Sequence, residues 1–152
     1  MRAFVLQDWV TIRGGISVQT VVQNEQNYLA LDAYQDAIFW LQVSEVSSGT
    51  GQLALCYDTA PLKDETLFTA MTTVTLSGAT MSPPQINKVM TQAAGQSTPL
   101  ARWVRWRLSY SSTTQSWDTT FRVMVSGNQL FSVGAGSMWP QTWRGMSNSP
   151  LG

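Results

Sequence analysis

The sequence predicts an all-β fold, an antiparallel two-sheet β-sandwich of jelly-roll type. Three features lead there. Apolar residues alternate with polar ones in run after run, helical periodicity is almost absent, and turn residues cut the runs into about eight to ten short pieces. The 152 residues match one domain, and a composition that is 43% hydrophobic and 11% aromatic can supply its core.

Taken in order, Ile16, Val18, Thr20 and Val22 alternate with polar residues after an Arg13-Gly14-Gly15 turn. Phe39, Leu41 and Val43 share one face of the run from Ile38 to Glu45, and Leu53, Leu55 and Tyr57 form the next stripe. Between these two runs, Ser47-Ser48-Gly49-Thr50-Gly51 reads as a hairpin loop. Val74 and Leu76 mark a further strand, closed by Ser77-Gly78. Val104, Trp106 and Leu108 alternate with Trp103, Arg105 and Arg107. Beyond a polar loop from Ser109 to Ser116, Phe121, Val123 and Val125 alternate with Arg122 and Met124. Successive side chains of a strand point to opposite faces, so each pattern is that of a half-buried strand. Ser126-Gly127-Asn128 reads as a turn into Leu130-Phe131-Ser132-Val133. Ser82-Pro83-Pro84 is expected to stop any ladder, because proline brings no N–H. Helix is expected only in short pieces near Leu62–Leu67 and Gln85–Gln92.

Residues 1–133 are accordingly assigned to the sandwich and residues 134–152 to an extended C-terminal arm. The arm has neither strand nor helix period, and Trp139, Trp143 and Met146 stand in it as isolated apolar anchors. Two indoles are costly to leave in water, so the arm is expected to dock on its own sheet or on a neighbour.

Charge is sparse. Only 12% of residues are charged, against a usual share of about 25%, and Ser, Thr, Gln and Asn fill the gap. Such a surface suits a protein covered by partners and suits a plain sandwich equally well. The formal net charge of zero predicts no attraction to nucleic acid or to anionic membranes. Residues 1–98 carry Arg2, Arg13, Lys63 and Lys88 against eight acidic groups, whereas residues 99–152 carry five arginines against Asp118 alone. Halves of opposite sign would allow head-to-tail docking of copies, or belong to interleaved strands of one domain. Cys56 is the only cysteine, which excludes an intrachain disulfide and predicts a small buried thiol. The run Met1–Leu6 meets Gln7 and Asp8 before a signal-peptide core can form, and no apolar run approaches the ~20 residues that span a bilayer. Folding in a cytoplasm is the expectation.

The chemistry is equally bounded. Histidine is absent, which removes the commonest general base and metal ligand, and one cysteine cannot build a zinc cluster. No phosphate-binding glycine loop occurs. Asp32, Asp36, Glu45, Asp58, Asp64, Glu65 and Asp118 are the candidate acid–base carboxylates, and no spacing forces two of them into one pocket. They read as turn and edge charges, with Asp64-Glu65 favouring a helix start. No enzyme, cofactor or metal is expected. The partner-binding candidates are Trp103, Arg105 and Arg107, which would share one strand face as a cation–π surface or meet a partner's acidic groups, and Trp139, Trp143 and Arg144 of the arm.

The segment Pro99-Leu100-Ala101-Arg102-Trp103-Val104-Arg105-Trp106-Arg107-Leu108, followed by Trp117-Asp118-Thr119-Thr120-Phe121-Arg122-Val123, resembles a pattern of small β-sandwich proteins of tailed bacteriophages. Asp32-Ala33-Tyr34, the run Ile38–Val43 and the run Asp58–Pro61 fit the same pattern, so the resemblance covers about residues 16–126. Proteins of this type are similar to capsid decoration, or cement, proteins with jelly-roll folds. The resemblance implies a virion protein on the capsid exterior, made in the host bacterial cytoplasm. Its partners would be the major capsid protein and further copies of itself, as a homodimer or homotrimer. A carbohydrate-binding sandwich of a head or tail fibre and a head–tail connector or tail component are the alternatives.

Overall fold

The computed structural model describes residues 1–76, 81–90 and 98–129, with residues 81–90 as backbone only. Nine strands run through them: β1 (Arg2–Gly14), β2 (Thr20–Val22), β3 (Leu29–Ala30), β4 (Tyr34–Ser47), β5 (Leu53–Ala60), β6 (Thr69–Thr75), β7 (Met81–Met90), β8 (Trp103–Tyr110) and β9 (Trp117–Gln129). Two single-turn 3-10 helices, Glu25–Asn27 and Glu65–Leu67, are each capped by the acceptor side chain just before them, Asn24 and Asp64.

The strands form two antiparallel sheets, one ordered β1-β9-β4-β7 and the other β2-β8-β5-β6, with β3 also on β8. Pairing is nested: β1 with β9, β2 with β8, β4 with β7, β5 with β6. The chain therefore behaves as one long antiparallel ribbon, wrapped so that its turns add the lateral pairs β4–β9 and β5–β8. That winding is the jelly roll. The sequence-based fold class is the observed one.

Alternation decides which side chains the wrap encloses. Phe39, Leu41 and Val43 from β4, Leu53, Leu55 and Tyr57 from β5, Val104, Trp106 and Leu108 from β8, and Phe121, Val123 and Val125 from β9 are all buried between the sheets. Each fully buried aliphatic or aromatic side chain contributes roughly 1.5–3 kcal/mol. The Phe39 and Tyr57 rings stack across the sandwich at 4.2 Å, and Trp106 meets Phe121 edge-on at 5.2 Å. Polar side chains also tie the sheets together at their margin. Buried Gln23 donates to the Leu6 carbonyl of β1 at 2.7 Å and accepts from the Trp106 N–H of β8 at 3.2 Å.

Several local expectations need correction. Residues 85–90 are not helical: strand β7 occupies Met81–Met90 and runs through Pro83-Pro84, and the rest of the expected helix lies outside the described residues. Proline is tolerated there because β7 is the outer strand of its sheet. Ser47–Gly51 is not a hairpin loop, since β4 and β5 lie in different sheets and the loop carries the chain across. Gly49 supplies the left-handed turn of that crossing, at φ 56°. Ser126-Gly127-Asn128 is no turn but lies within β9. Gly127 is needed there for close approach, because a Cβ would sit 2.8 Å from the Tyr34 ring. The alternating run from Ile16 yields a strand only at Thr20–Val22, and Ile16 and Val18 are exposed. Helix near Leu62–Leu67 shrinks to one 3-10 turn. The expected strand at Leu130–Val133 and the arm at 134–152 lie outside the described residues.

Candidate functional site

The outer face of the β2-β8-β5-β6 sheet is built from strand positions out of phase with the core. Trp103, Arg105 and Arg107 alternate with buried Val104, Trp106 and Leu108, as the sequence requires. Cross-strand register sets Arg105 opposite Asp58 and Arg107 opposite Cys56. Asp58 thereby receives both arginines: Arg107 Nε donates to Oδ2 at 2.8 Å and Arg105 Nε to the same oxygen at 3.4 Å. The remaining edge of Arg105 forms a fork on Glu65, with Nη1 donating to Oε2 at 2.5 Å and Nη2 to Oε1 at 2.8 Å. Arg105 Nη1 also donates to the Tyr28 hydroxyl at 3.0 Å, and the guanidinium lies 3.8 Å from the centre of the Phe68 ring.

Burial works against the charge of Arg105, but the hydrogen bonds to Glu65 and Tyr28 outweigh it and raise its pKa above the ordinary value. The Arg105 hydrogen bond in turn holds the Glu65 carboxyl below the usual carboxylate range. Hydrogen bonding to Asp58 likewise raises Arg107. The carboxylates that meet these arginines are the chain's own, so here the acidic N-terminal part and the basic C-terminal part are interleaved within one molecule. Trp103 is half-buried, with Lys63 Nζ 4.4 Å and Arg102 Cζ 5.3 Å from its ring centre. Of the residues proposed from sequence, Trp103, Arg105 and Arg107 thus come together on one face. Trp139, Trp143 and Arg144 lie outside the described residues.

The opposite outer face, on the β1-β9-β4-β7 sheet, carries residues that sequence reasoning passed over. Val5 is 55% exposed, Trp9 46% and Trp40 36%. Register places Val5 beside Met124 and Trp40 on the other side of that same Met124. Strands β1 and β4 flank β9, so Trp9 and Trp40 stand two strand spacings apart, about 10 Å across the sheet. Arg122 rises between these strands, its Cζ 5.0 Å from the Trp9 ring centre and its Nε hydrogen-bonded to Gln42 Oε1. Trp40 Nε1 donates to Ser126 Oγ at 3.1 Å. Met1, Ala3, Trp40, Gln42 and Met124 help to line a shallow groove of about 370 Å³. A readable signal existed. Trp40 falls between Phe39 and Leu41, which puts a large aromatic side chain on the face turned away from the core.

Two of the other carboxylates, Asp36 and Asp64, do structural work. Asp36 is buried and accepts from the Asn128 backbone N–H and from its Nδ2, while Asp64 caps the turn after it. Among the described residues no three His, Cys, Asp or Glu side chains form a group able to hold a metal ion. Cys56 is buried, with the Thr73 hydroxyl 3.4 Å from its sulfur.

No family model matches this chain, and no curated protein matches it in sequence.

Proposed function

We propose that the chain is a structural virion protein that binds the outer surface of a tailed-phage capsid and cements neighbouring major capsid protein subunits. The contact is made by the outer face of the β1-β9-β4-β7 sheet. The observation that carries the reading is the line of exposed large side chains there: Val5, Trp9 and Trp40 on a rigid sheet, with Met124 among them. Aromatic residues held on a stiff frame are the usual anchors of protein interfaces, and they lose little entropy when a partner covers them. The phage-like pattern of residues 16–126 supplies the identity of the partner, and the jelly roll is a fold used in viral shells.

Co-sedimentation with expanded capsids of the cognate phage tests the reading. Saturable binding at a fixed ratio to the capsid protein is expected. Trp40→Ala should weaken it about 30-fold, the loss of an anchor worth ~2 kcal/mol, while the far-ultraviolet circular dichroism is kept. Absence of binding by the folded wild-type protein would overturn the proposal.

One arrangement favours a second reading, a carbohydrate-binding sandwich. Trp9 and Trp40 are spaced platforms with Arg122 of the intervening β9 and its hydrogen-bond partner Gln42 of β4 beside them, a combination that also suits a sugar chain. Quenching of tryptophan fluorescence by a host-surface polysaccharide, with no capsid binding, would select it.

A further inference from the structure

The outer face of the β2-β8-β5-β6 sheet holds two guanidiniums against one buried carboxylate. The side chains of Arg105 and Asp58 are 3% and 2% exposed, and Arg107 is largely covered. The second negative charge is delivered from outside by Glu65, whose side chain is 69% exposed. We propose that Arg105 is the centre of a carboxylate-binding site for an acidic side chain of a protein partner, with Glu65 as a built-in stand-in on a displaceable strap. This inference goes beyond the capsid reading and does not depend on it.

Charge is the first argument. A buried guanidinium left one anion short is strongly unfavourable, so the site requires a carboxylate without requiring that it be Glu65. Geometry is the second. Arg105 presents two parallel N–H groups outward, the fork that recognises a carboxylate edge, and the Phe68 ring and Tyr28 hydroxyl frame it.

The third argument is the strap itself. Every residue from Pro61 to Leu67 is exposed, including Leu62 at 60% and Leu67 at 40%. The turn within the strap is closed by its own bonds, from the Thr66 N–H and hydroxyl to Asp64. Its ties to the body are the Glu65 fork, the Lys63 ammonium over Trp103 and Tyr28, the Lys63 bond to the Glu25 carbonyl, and half-buried Phe68. A segment with so little buried surface belongs to the low-stability end of a fold. Exchange of one bidentate carboxylate for another leaves Arg105 satisfied. It would also lift Lys63 from Trp103 and present that indole beside the arriving partner.

The groups facing Glu65 set the exchange. Arg105 and Arg107 attract an anion from β8, whereas Asp58 on β5 and Asp64 on the strap repel it. Lys63 and Tyr28 complete the surroundings.

The test uses the full chain with Glu65→Ala. Sodium formate should raise the melting temperature of this variant saturably, above sodium chloride of equal ionic strength, and recover at least half of its deficit. The wild-type protein should show no such difference. Equal effects of formate and chloride on the folded variant would overturn the proposal. A second measurement needs no mutation. A tetraglutamate peptide at millimolar concentration, the range of a tethered competitor, should accelerate tryptic cleavage after Lys63, and tetraglutamine should not. An unchanged cleavage rate would overturn displacement of the strap. Neither readout involves capsids, so this inference and the virion reading fail separately.

Discussion

Replacing Tyr57 with phenylalanine should stabilise this protein. Tyr57 is fully buried, its ring stacks on Phe39 at 4.2 Å, and among the described residues its hydroxyl has no hydrogen-bond partner. An unsatisfied buried hydroxyl costs about 1–3 kcal/mol. Phenylalanine keeps the stack and leaves a void smaller than the ~30 Å³ share of one water. At about 24 cal/mol per Å³, that void costs at most ~0.7 kcal/mol. The expected net gain is therefore about 1 kcal/mol, or a rise of roughly 2–4 °C in melting temperature for a domain of this size. Urea denaturation followed by tryptophan fluorescence at pH 7 should show a higher midpoint at unchanged slope.

The same residue has a pH signature. Burial raises the phenol above its ordinary value of 10.0, so above that pH the unfolded chain loses its proton first. Stability from this group is complete below pH 10 and falls as pH rises, by about 1.4 kcal/mol per unit. The advantage of Tyr57→Phe should grow by that slope above pH 10. A variant that is less stable by 0.5 kcal/mol or more at pH 7 would refute the reasoning, because it would mean that the hydroxyl is hydrogen-bonded.

Two further substitutions test how the sandwich is held. Asp58→Asn leaves two adjacent guanidiniums without their shared buried anion and should cost about 3–5 kcal/mol in chemical denaturation. A loss below 1 kcal/mol would show that the pair is solvated. Gly14→Ala would set a Cβ 2.1 Å from the Trp117 ring, forcing the indole off its 2.8 Å bond to the Val18 carbonyl. A cost of about 1–3 kcal/mol and an altered near-ultraviolet circular dichroism are expected, and an unchanged spectrum would contradict the close approach.

Much of the fold was legible because strand alternation is a local property with a strict period. The stripes Phe39–Val43, Leu53–Tyr57, Val104–Leu108 and Phe121–Val125 point inward as read, and Trp103, Arg105 and Arg107 share the outer face as read. Local signals failed where meaning depends on neighbours. Pro83-Pro84 reads as a stop, yet an outer strand needs no donor on its free side. Gly127 reads as a turn, yet it makes room for the Tyr34 ring of a strand more than ninety positions earlier.

The candidate sites divide in the same way. Sequence alone determined which residue types were available: no histidine, one cysteine, few charges, and arginines and tryptophans concentrated late in the chain. It could not say that Asp58 and Glu65 would meet on Arg105, nor that Trp9 and Trp40 would stand on one sheet face. Both pairings follow from the wrapped ribbon, which brings β1 to β9 and β5 to β8 across long stretches of chain. Periodicity is written in adjacent residues and can be read there. Whether an arginine is free for a partner or already holds a carboxylate depends on the register between distant strands, and only the tertiary structure decides it.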